Sequence, residues 1–270
     1  MTDYIFVLDG IGAFDGKTSN VIDRAAWRLQ ESLAEHNRPF EVEWINWPAS
    51  INPIGELTWS ASTEVGVKNF EERVRQLEPQ DRFIILAFSG GNRPAHVWLE
   101  RVAEWEPAML ERVLAVGLAS DPYRPRGKQQ AGMPMPGGWG LSGEWETPIM
   151  DRTFWLAIPR DAITDARHDA LLRTAADVID YFPGDLLRGL AKLVEEQNPN
   201  NWQLAWQLKA FHENPLRWFM GMNNRLGQAR DDIVGYATGV HTRAYIEPFE
   251  GGPSAMERLA ATISWKVRNP

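Results

Sequence analysis

The sequence predicts an α/β fold, a mainly parallel sheet with helices on both faces. Phe83-Ile84-Ile85-Leu86-Ala87-Phe88 is a continuous apolar run, as expected of a strand covered on both sides. Strand-like and helix-length segments alternate from Tyr4 to Ile158, the pattern of successive βαβ units. At 270 residues the chain can bury a large core and carry an inserted segment.

The first strand is Tyr4 to Leu8. The residues before it lack the basic stretch of a secretory leader, and the apolar run is too short to cross a membrane. A helix follows, with Val21, Ala25, Trp27 and Leu29 among its apolar positions, and His36-Asn37 ends it. Phe40 to Ile45 is the second strand. From about Thr63 to Leu77, Val67, Phe70, Val74 and Leu77 are spaced to cover one face of a sheet. After the Phe83 strand, Val97, Leu99 and Val102 mark a third helix, and Val113 to Leu118 is the next strand. Asp121 to Thr147 is rich in proline and glycine and reads as a long ordered loop near the carboxyl ends of the strands. Phe154 to Ile158 closes the strand series.

Beyond Asp161 the character changes to helix. Ala170 to Ile179, Leu186 to Val194, Trp202 to Phe211 and Leu216 to about Ala229 are helical pieces, interrupted at Pro183-Gly184, Pro199 and Pro215. The expected organisation is an α/β domain of residues 1–182 plus 231–270, with residues 183–230 as a helical linker or lid insertion. Val234 to Tyr236 is expected as a short strand or turn on the return to the main domain.

The formal net charge is −8, with no long basic run, which argues against nucleic acid or an anionic membrane as partner. Cysteine is absent, so disulfides and thiolate metal ligands are excluded. Thirteen tryptophans suit either core packing or an aromatic-lined groove for an apolar ligand.

The chemistry is expected at Ser89, where the Phe83 strand gives way to Gly90-Gly91-Asn92. A hydroxyl at a tight strand-to-helix turn has the geometry of a nucleophile elbow, here in the form Ala87-x-Ser89-x-Gly91. Such a serine needs a base and a carboxylate to orient the base. Of five histidines, His241 is preferred because it lies in the turn-like stretch Gly239 to Tyr245. His96 is the rival, but is expected to ride on the helix after Ser89 and point away from the strand tips. Asp161 follows the last strand and is the preferred acid; Asp121, which also follows a strand, competes with it. The Gly90 amide and the Ile11 N–H, in the small-residue turn Gly10-Ile11-Gly12, are the expected oxyanion donors.

Taken together, these residues resemble the lysin B esterases of bacteriophages that infect mycolic-acid bacteria, a family related to the cutinases. The likeness runs through Gly10-Ile11-Gly12, Trp47-Pro48-Ala49-Ser50, Ala87-Phe88-Ser89-Gly90-Gly91, Gly137-Gly138-Trp139-Gly140, Ile158-Pro159-Arg160-Asp161 and Val240-His241-Thr242-x-x-Tyr245. It implies a cutinase-like α/β-hydrolase fold with Ser89 as nucleophile, Asp161 as acid and His241 as base. It implies hydrolysis of the ester joining mycolic acids to arabinogalactan, with neither metal nor organic cofactor. The expected partner is this lipid ester, bound along Gly12, Trp139, Trp206, Phe211 and Trp218, by a monomer or weak homo-oligomer. Such a protein would be phage-encoded, made in the host cytoplasm and active at the host envelope during lysis. The pattern departs at Ala87, where relatives have glycine, at Gly90, where they commonly have glutamine, and at Ser120-Asp121-Pro122, where Gly-Asn-Pro is frequent. These departures motivate the alternative of a weak or inactive hydrolase fold serving as a virion structural or wall-binding protein.

Overall fold

The computed structural model describes residues 2–13, 18–36, 39–52, 54–173, 176, 212–214 and 221–270. Five parallel strands form the sheet: β1 (Asp3–Leu8), β2 (Phe40–Trp44), β3 (Phe83–Phe88), β4 (Val113–Ala119) and β5 (Thr153–Leu156), in the spatial order β2-β1-β3-β4-β5. The order reverses between β1 and β3. Loops leaving those two strands therefore diverge and open a crevice at the carboxyl edge of the sheet.

Helices α1 (Ile22–Ala34), α2 (Trp59–Arg75) and α3 (Asn92–Trp105) follow β1, β2 and β3. The chain ends in α4 (Met222–Ala237), the short α5 (Arg243–Ile246), a two-stranded hairpin of β6 (Pro248–Phe249) and β7 (Gly252–Ser254), and α6 (Ala255–Arg268). Alternation along the strands divides the core in two. Ile5, Val7, Ile84, Leu86 and Phe88 pack with α1 and α6. Phe6, Leu8, Phe83, Ile85 and Ala87 pack with α2 and α3 on the other face. This is an α/β-hydrolase fold, with its parallel sheet sandwiched as the apolar run of β3 required.

Three boundaries differ from expectation, each for a local reason. Helix α2 begins at Trp59 because Thr58 caps it, its hydroxyl accepting from the Ala61 amide at 3.2 Å. Strand β5 stops at Leu156 because side chains take the next backbone groups. The Ala157 amide donates to Gln129 Oε1 at 3.0 Å and the Ile158 amide to the Tyr245 hydroxyl at 3.3 Å. Val234 to Tyr236, expected as a strand or turn, belongs to α4, which runs unbroken through Asp231-Asp232. The helical pieces expected between residues 177 and 211 lie outside the described residues. Among the described residues, no helix is long and apolar enough to cross a membrane.

Candidate active site

Strand β3 delivers Ser89 to the crevice. Phe88 is still extended, with φ of −132°, while Ser89 swings to φ of 51°, the left-handed region that a non-glycine residue enters only when its surroundings demand it. A single 3₁₀ turn, Ser89–Gly91, then leads into α3. Asn92 holds the bend: its Nδ2 donates to the Ser89 carbonyl at 2.8 Å and to the Ala119 carbonyl, at the end of β4, at 3.0 Å. Gly91 is required by close approach. A Cβ there would sit 2.3 Å from the Leu8 carbonyl oxygen and 2.4 Å from that of Asp9. Ala87, by contrast, costs nothing visible; its methyl group is buried in the core under α2 and α3, and the elbow forms regardless.

His241 reaches this bend from the turn between α4 and α5, with Nε2 2.8 Å from Ser89 Oγ. On its other side Nδ1 lies 3.1 and 3.3 Å from the two Asp161 carboxylate oxygens. The carboxylate has further donors. The Ser120 hydroxyl donates to Oδ2 at 2.5 Å, the Tyr245 hydroxyl to Oδ2 at 2.7 Å and the Ile163 amide to Oδ1 at 3.1 Å. Burial pushes the Asp161 carboxyl up, but the His241 charge and the bonds from His241, Ser120 and Tyr245 outweigh it and hold the group below its ordinary value. Tyr245 moves the opposite way. Burial, and then the neighbouring Asp161 charge, raise its phenol well above the usual range, so it stays a neutral donor. An Nδ1–H tautomer would satisfy the ionised Asp161 and leave Nε2 to accept from Ser89. The rings of Phe88 and Tyr236 stack on the imidazole at centroid distances of 5.1 and 4.7 Å.

Ser89, His241 and Asp161, separated widely in sequence, thus meet as a Ser-His-Asp triad. The rivals meet each other instead. His96 does not point away from the strand tips as expected: its Nε2 lies 2.9 Å from Asp121 Oδ2, which also accepts from Trp155 Nε1 at 2.9 Å. Asp121 Oδ1 takes the Tyr123 amide at 2.9 Å, and Trp145 stacks on the His96 ring. His36, His168 and His212 are exposed.

The expected oxyanion pair is adjacent to the nucleophile. A Cβ placed on Gly90 would lie 2.5 Å from Ile11 Cγ1 and 3.6 Å from the Ile11 nitrogen. The Ile11 side chain therefore fills the room that a larger residue at position 90 would need. Asp9 fixes this turn, accepting from the Gly10 amide at 2.7 Å and from the Ser19 hydroxyl and amide at 2.6 and 2.7 Å. Its burial raises its pKa in spite of these bonds. Gly12 has φ of 87° and gives its amide to the Ala49 carbonyl at 2.9 Å. Trp139 is buried, with the guanidinium groups of Arg126 and Arg173 over its ring at 3.6 and 4.0 Å. Trp206, Phe211 and Trp218 lie outside the described residues. Among the described residues, no group of three or more His, Cys, Asp or Glu side chains is placed to hold a metal ion.

Four contributors escaped the sequence reading. Ser120 and Tyr245 hold the carboxylate. The buried Arg124 and Arg173 knit the loop after β4 to the segment carrying Asp161. Arg124 donates to the Thr164, Lys128 and Gly138 carbonyls; Arg173 donates to those of Trp139, Gly140, Leu141, Ala166 and Arg167. A fully buried arginine needs acceptors for its donors, and this pair finds them in carbonyls that tie the irregular loop to the segment carrying Asp161.

No family model and no curated protein sequence matches the chain. Solved structures do. Lysin B from Mycobacteriophage D29 is 17% identical, with 76% of this chain and 86% of that chain covered and a TM-score of 0.54. A cutinase-like protein from Cryptococcus sp. (13% identical, 76% and 90% covered, TM-score 0.47) and an acetyl xylan esterase (13%, 76% and 97%, 0.48) are also similar. These are likenesses of fold. The fold and the site together define an α/β-hydrolase fold whose Ser89-His241-Asp161 arrangement is consistent with a carboxylic-ester hydrolase active site.

Proposed function

We propose that the protein is a serine esterase that cleaves mycolic-acid esters of mycolylarabinogalactan, in the manner of a phage lysin B acting at the host envelope. The single observation that carries the esterase chemistry is the 2.8 Å contact of Ser89 Oγ with His241 Nε2, backed by an ionised, buried Asp161. The mycolate assignment rests on the resemblance of the motifs to that family and on the similar fold of the mycobacteriophage lysin B.

In the proposed cycle, Ser89 Oγ attacks the ester carbonyl carbon while His241 Nε2 takes its proton. The amides of Gly90 and Ile11 receive the oxyanion, with donors held in advance by the elbow and by the Asp9 turn. As the tetrahedral intermediate collapses, the carbonyl–alkoxy bond breaks and His241 returns the proton to the departing alcohol. Water, deprotonated by the same imidazole, then releases the acid from Ser89. Ile11 forms one wall beside the nucleophile, and residues 183–230 are proposed as the insertion that flanks the acyl chain, with Trp206, Phe211 and Trp218 contributing apolar surface.

The test has two arms. Short-chain nitrophenyl esters report the chemistry, and purified mycolated cell wall reports the substrate through release of free mycolic acids. Turnover of both, abolished by Ser89→Ala, is the expected result. Turnover of the nitrophenyl esters alone removes the mycolate assignment, and turnover of neither removes the esterase.

A further inference from the structure

The shortest partner of His241 Nδ1 is not the carboxylate. Ser120 Oγ lies 3.0 Å from it, nearer than either Asp161 oxygen. A hydroxyl owns one proton, and at 2.5 Å from Asp161 Oδ2 that proton is committed to the carboxylate, a distance typical of charge-assisted O–H···O⁻ bonds. Its lone pairs are then left facing Nδ1. Ser120 consequently accepts the imidazole proton while donating to the acid, and the Nδ1–H points into a wedge between a hydroxyl oxygen and a carboxylate.

The backbone is bent to put the hydroxyl there. Ser120 has φ of 47°, left-handed like Ser89, at the point where β4 ends. Its amide continues the sheet by donating to the Leu156 carbonyl at 2.9 Å, so the strain is held by β5 on one side and by the Arg124-braced loop on the other. The residue is wholly buried. A wholly buried, strained serine whose hydroxyl bridges acid and base does more than fill space.

We propose that Ser120 is a positioning residue of the catalytic cycle, sharing the Nδ1 proton of His241 with Asp161 so that the unit is a tetrad rather than a triad. The proposal rests on the esterase reading of the site. Two consequences follow. The tautomer is imposed twice, because an unprotonated Nδ1 would direct its lone pair at both a carboxylate and a hydroxyl oxygen. The imidazolium formed when Ser89 is deprotonated meets a hydroxyl already polarised by Asp161, and hydrogen bonds linked in this way strengthen one another. Ser120 acts through His241 and touches no reacting atom.

The experiment pairs Ser120→Ala with Ser120→Gly, read with a nitrophenyl ester and with a fluorophosphonate that labels an activated serine. Labelling of the wild-type protein at Ser89 establishes the hydrolase first; without it, the esterase reading fails before the tetrad is judged. Both variants are then expected to lose kcat by about 10- to 100-fold with KM unchanged, the scale of one deleted hydrogen bond to a charged group. Glycine relieves the backbone strain at a positive φ. If position 120 matters only as a bend, Ser120→Gly retains wild-type kcat, and the proposal is overturned. The wild-type protein supplies an independent check by ¹H–¹⁵N NMR. The His241 proton must be found on Nδ1, with its downfield resonance moving in each variant that folds; a proton on Nε2 overturns the proposal without recourse to any variant.

Discussion

The molecule contains two histidine–aspartate pairs built to nearly the same pattern, and only one of them is placed for chemistry. His241–Asp161 and His96–Asp121 have His N to Asp O distances of 3.1 and 2.9 Å. Each aspartate follows a strand of the same sheet, accepts from a ring-bearing side chain (Tyr245 or Trp155) and takes a backbone amide as well. Each imidazole is stacked on aromatic rings. The difference lies in what the second ring nitrogen meets. His241 Nε2 faces Ser89, itself 7% exposed, whereas His96 and Asp121 side chains are both 0% exposed and His96 Nδ1 has no hydrogen-bond partner among the described residues. A His–Asp pair becomes a base only when its free nitrogen opens on a nucleophile at the edge of solvent; closed off, the same pair is a cross-link between α3 and the end of β4.

The largest test of that contrast is Ser89→Ala, which leaves the His241–Asp161 pair intact but without its nucleophile. Turnover should fall by about 10⁵-fold or more while the melting temperature is preserved, as expected when a triad nucleophile is removed. Full activity in Ser89→Ala would mean that some other hydroxyl attacks the ester. Next comes Asp161→Asn, with an expected loss of about 10⁴-fold in kcat, because an amide cannot hold the Nδ1–H tautomer. The same change in the other pair, Asp121→Asn, should leave activity per folded molecule almost untouched. It should instead lower stability by about 1–3 kcal/mol, since one amide face would oppose the Trp155 and His96 donors. Equal kinetic damage from the two asparagine variants would erase the distinction between the pairs.

Asp161 also predicts a pH effect of defined sign. Its carboxyl is held below the ordinary value of 3.8, so the folded state binds its proton less readily than the unfolded chain does. That contribution to stability is fully present only well above the unfolded value of 3.8, and is lost as pH falls through 3.8 and then the depressed folded value. The pH-dependent part of the stability difference between wild type and Asp161→Asn should therefore vanish on acidification. Tyr245→Phe removes one of the donors to Oδ2, so the folded Asp161 pKa rises toward 3.8 and the loss becomes smaller and is complete at higher pH, with kcat down by about 10-fold.

How much of this was legible in the sequence follows from the range over which each signal acts. Strands and helices through α3 were readable because periodicity is local, and the apolar run of β3 announced a covered parallel strand. Ser89 was readable for the same reason: strand, serine and small-residue turn lie within a few residues. The choice between Asp161 and Asp121 was not decidable locally, since both follow strands. It is decided by where the turn before α5 places His241 and where α5 places Tyr245. Ser120 was hidden in a tripeptide whose visible feature was the aspartate, and its role depends on a bend that no side-chain pattern encodes. Arg124 and Arg173 lie in a proline-rich loop and at a helix start, and their burial depends in part on carbonyls as far as 40 and 34 residues away in sequence, those of Thr164 and Trp139, which no local pattern shows. His96 was misplaced because the sequence shows that it rides on α3 but not which way the helix turns that face.

The smallest expected effect sharpens the comparison most, because it separates stacking that serves a charge from stacking that serves packing. Tyr236 lies 4.7 Å from the His241 ring and Trp145 lies 5.0 Å from the His96 ring, with interplanar angles of 21° and 15°. An aromatic face favours a cation by about 0.5–1 kcal/mol at an exposed site. His241 acquires that charge only as Ser89 gives up its proton, so the stabilisation enters the barrier. Tyr236→Leu should thus lower the acylation rate about 2- to 5-fold, and Tyr236→Phe, which keeps the face, should restore it. Trp145→Leu removes an equivalent stack from an imidazole that takes no part in the cycle, and should reduce stability while leaving acylation unchanged. Pre-steady-state release of nitrophenol measures the step directly. If Trp145→Leu slows the burst as much as Tyr236→Leu does, the buried pair is coupled to the reaction and is more than a cross-link.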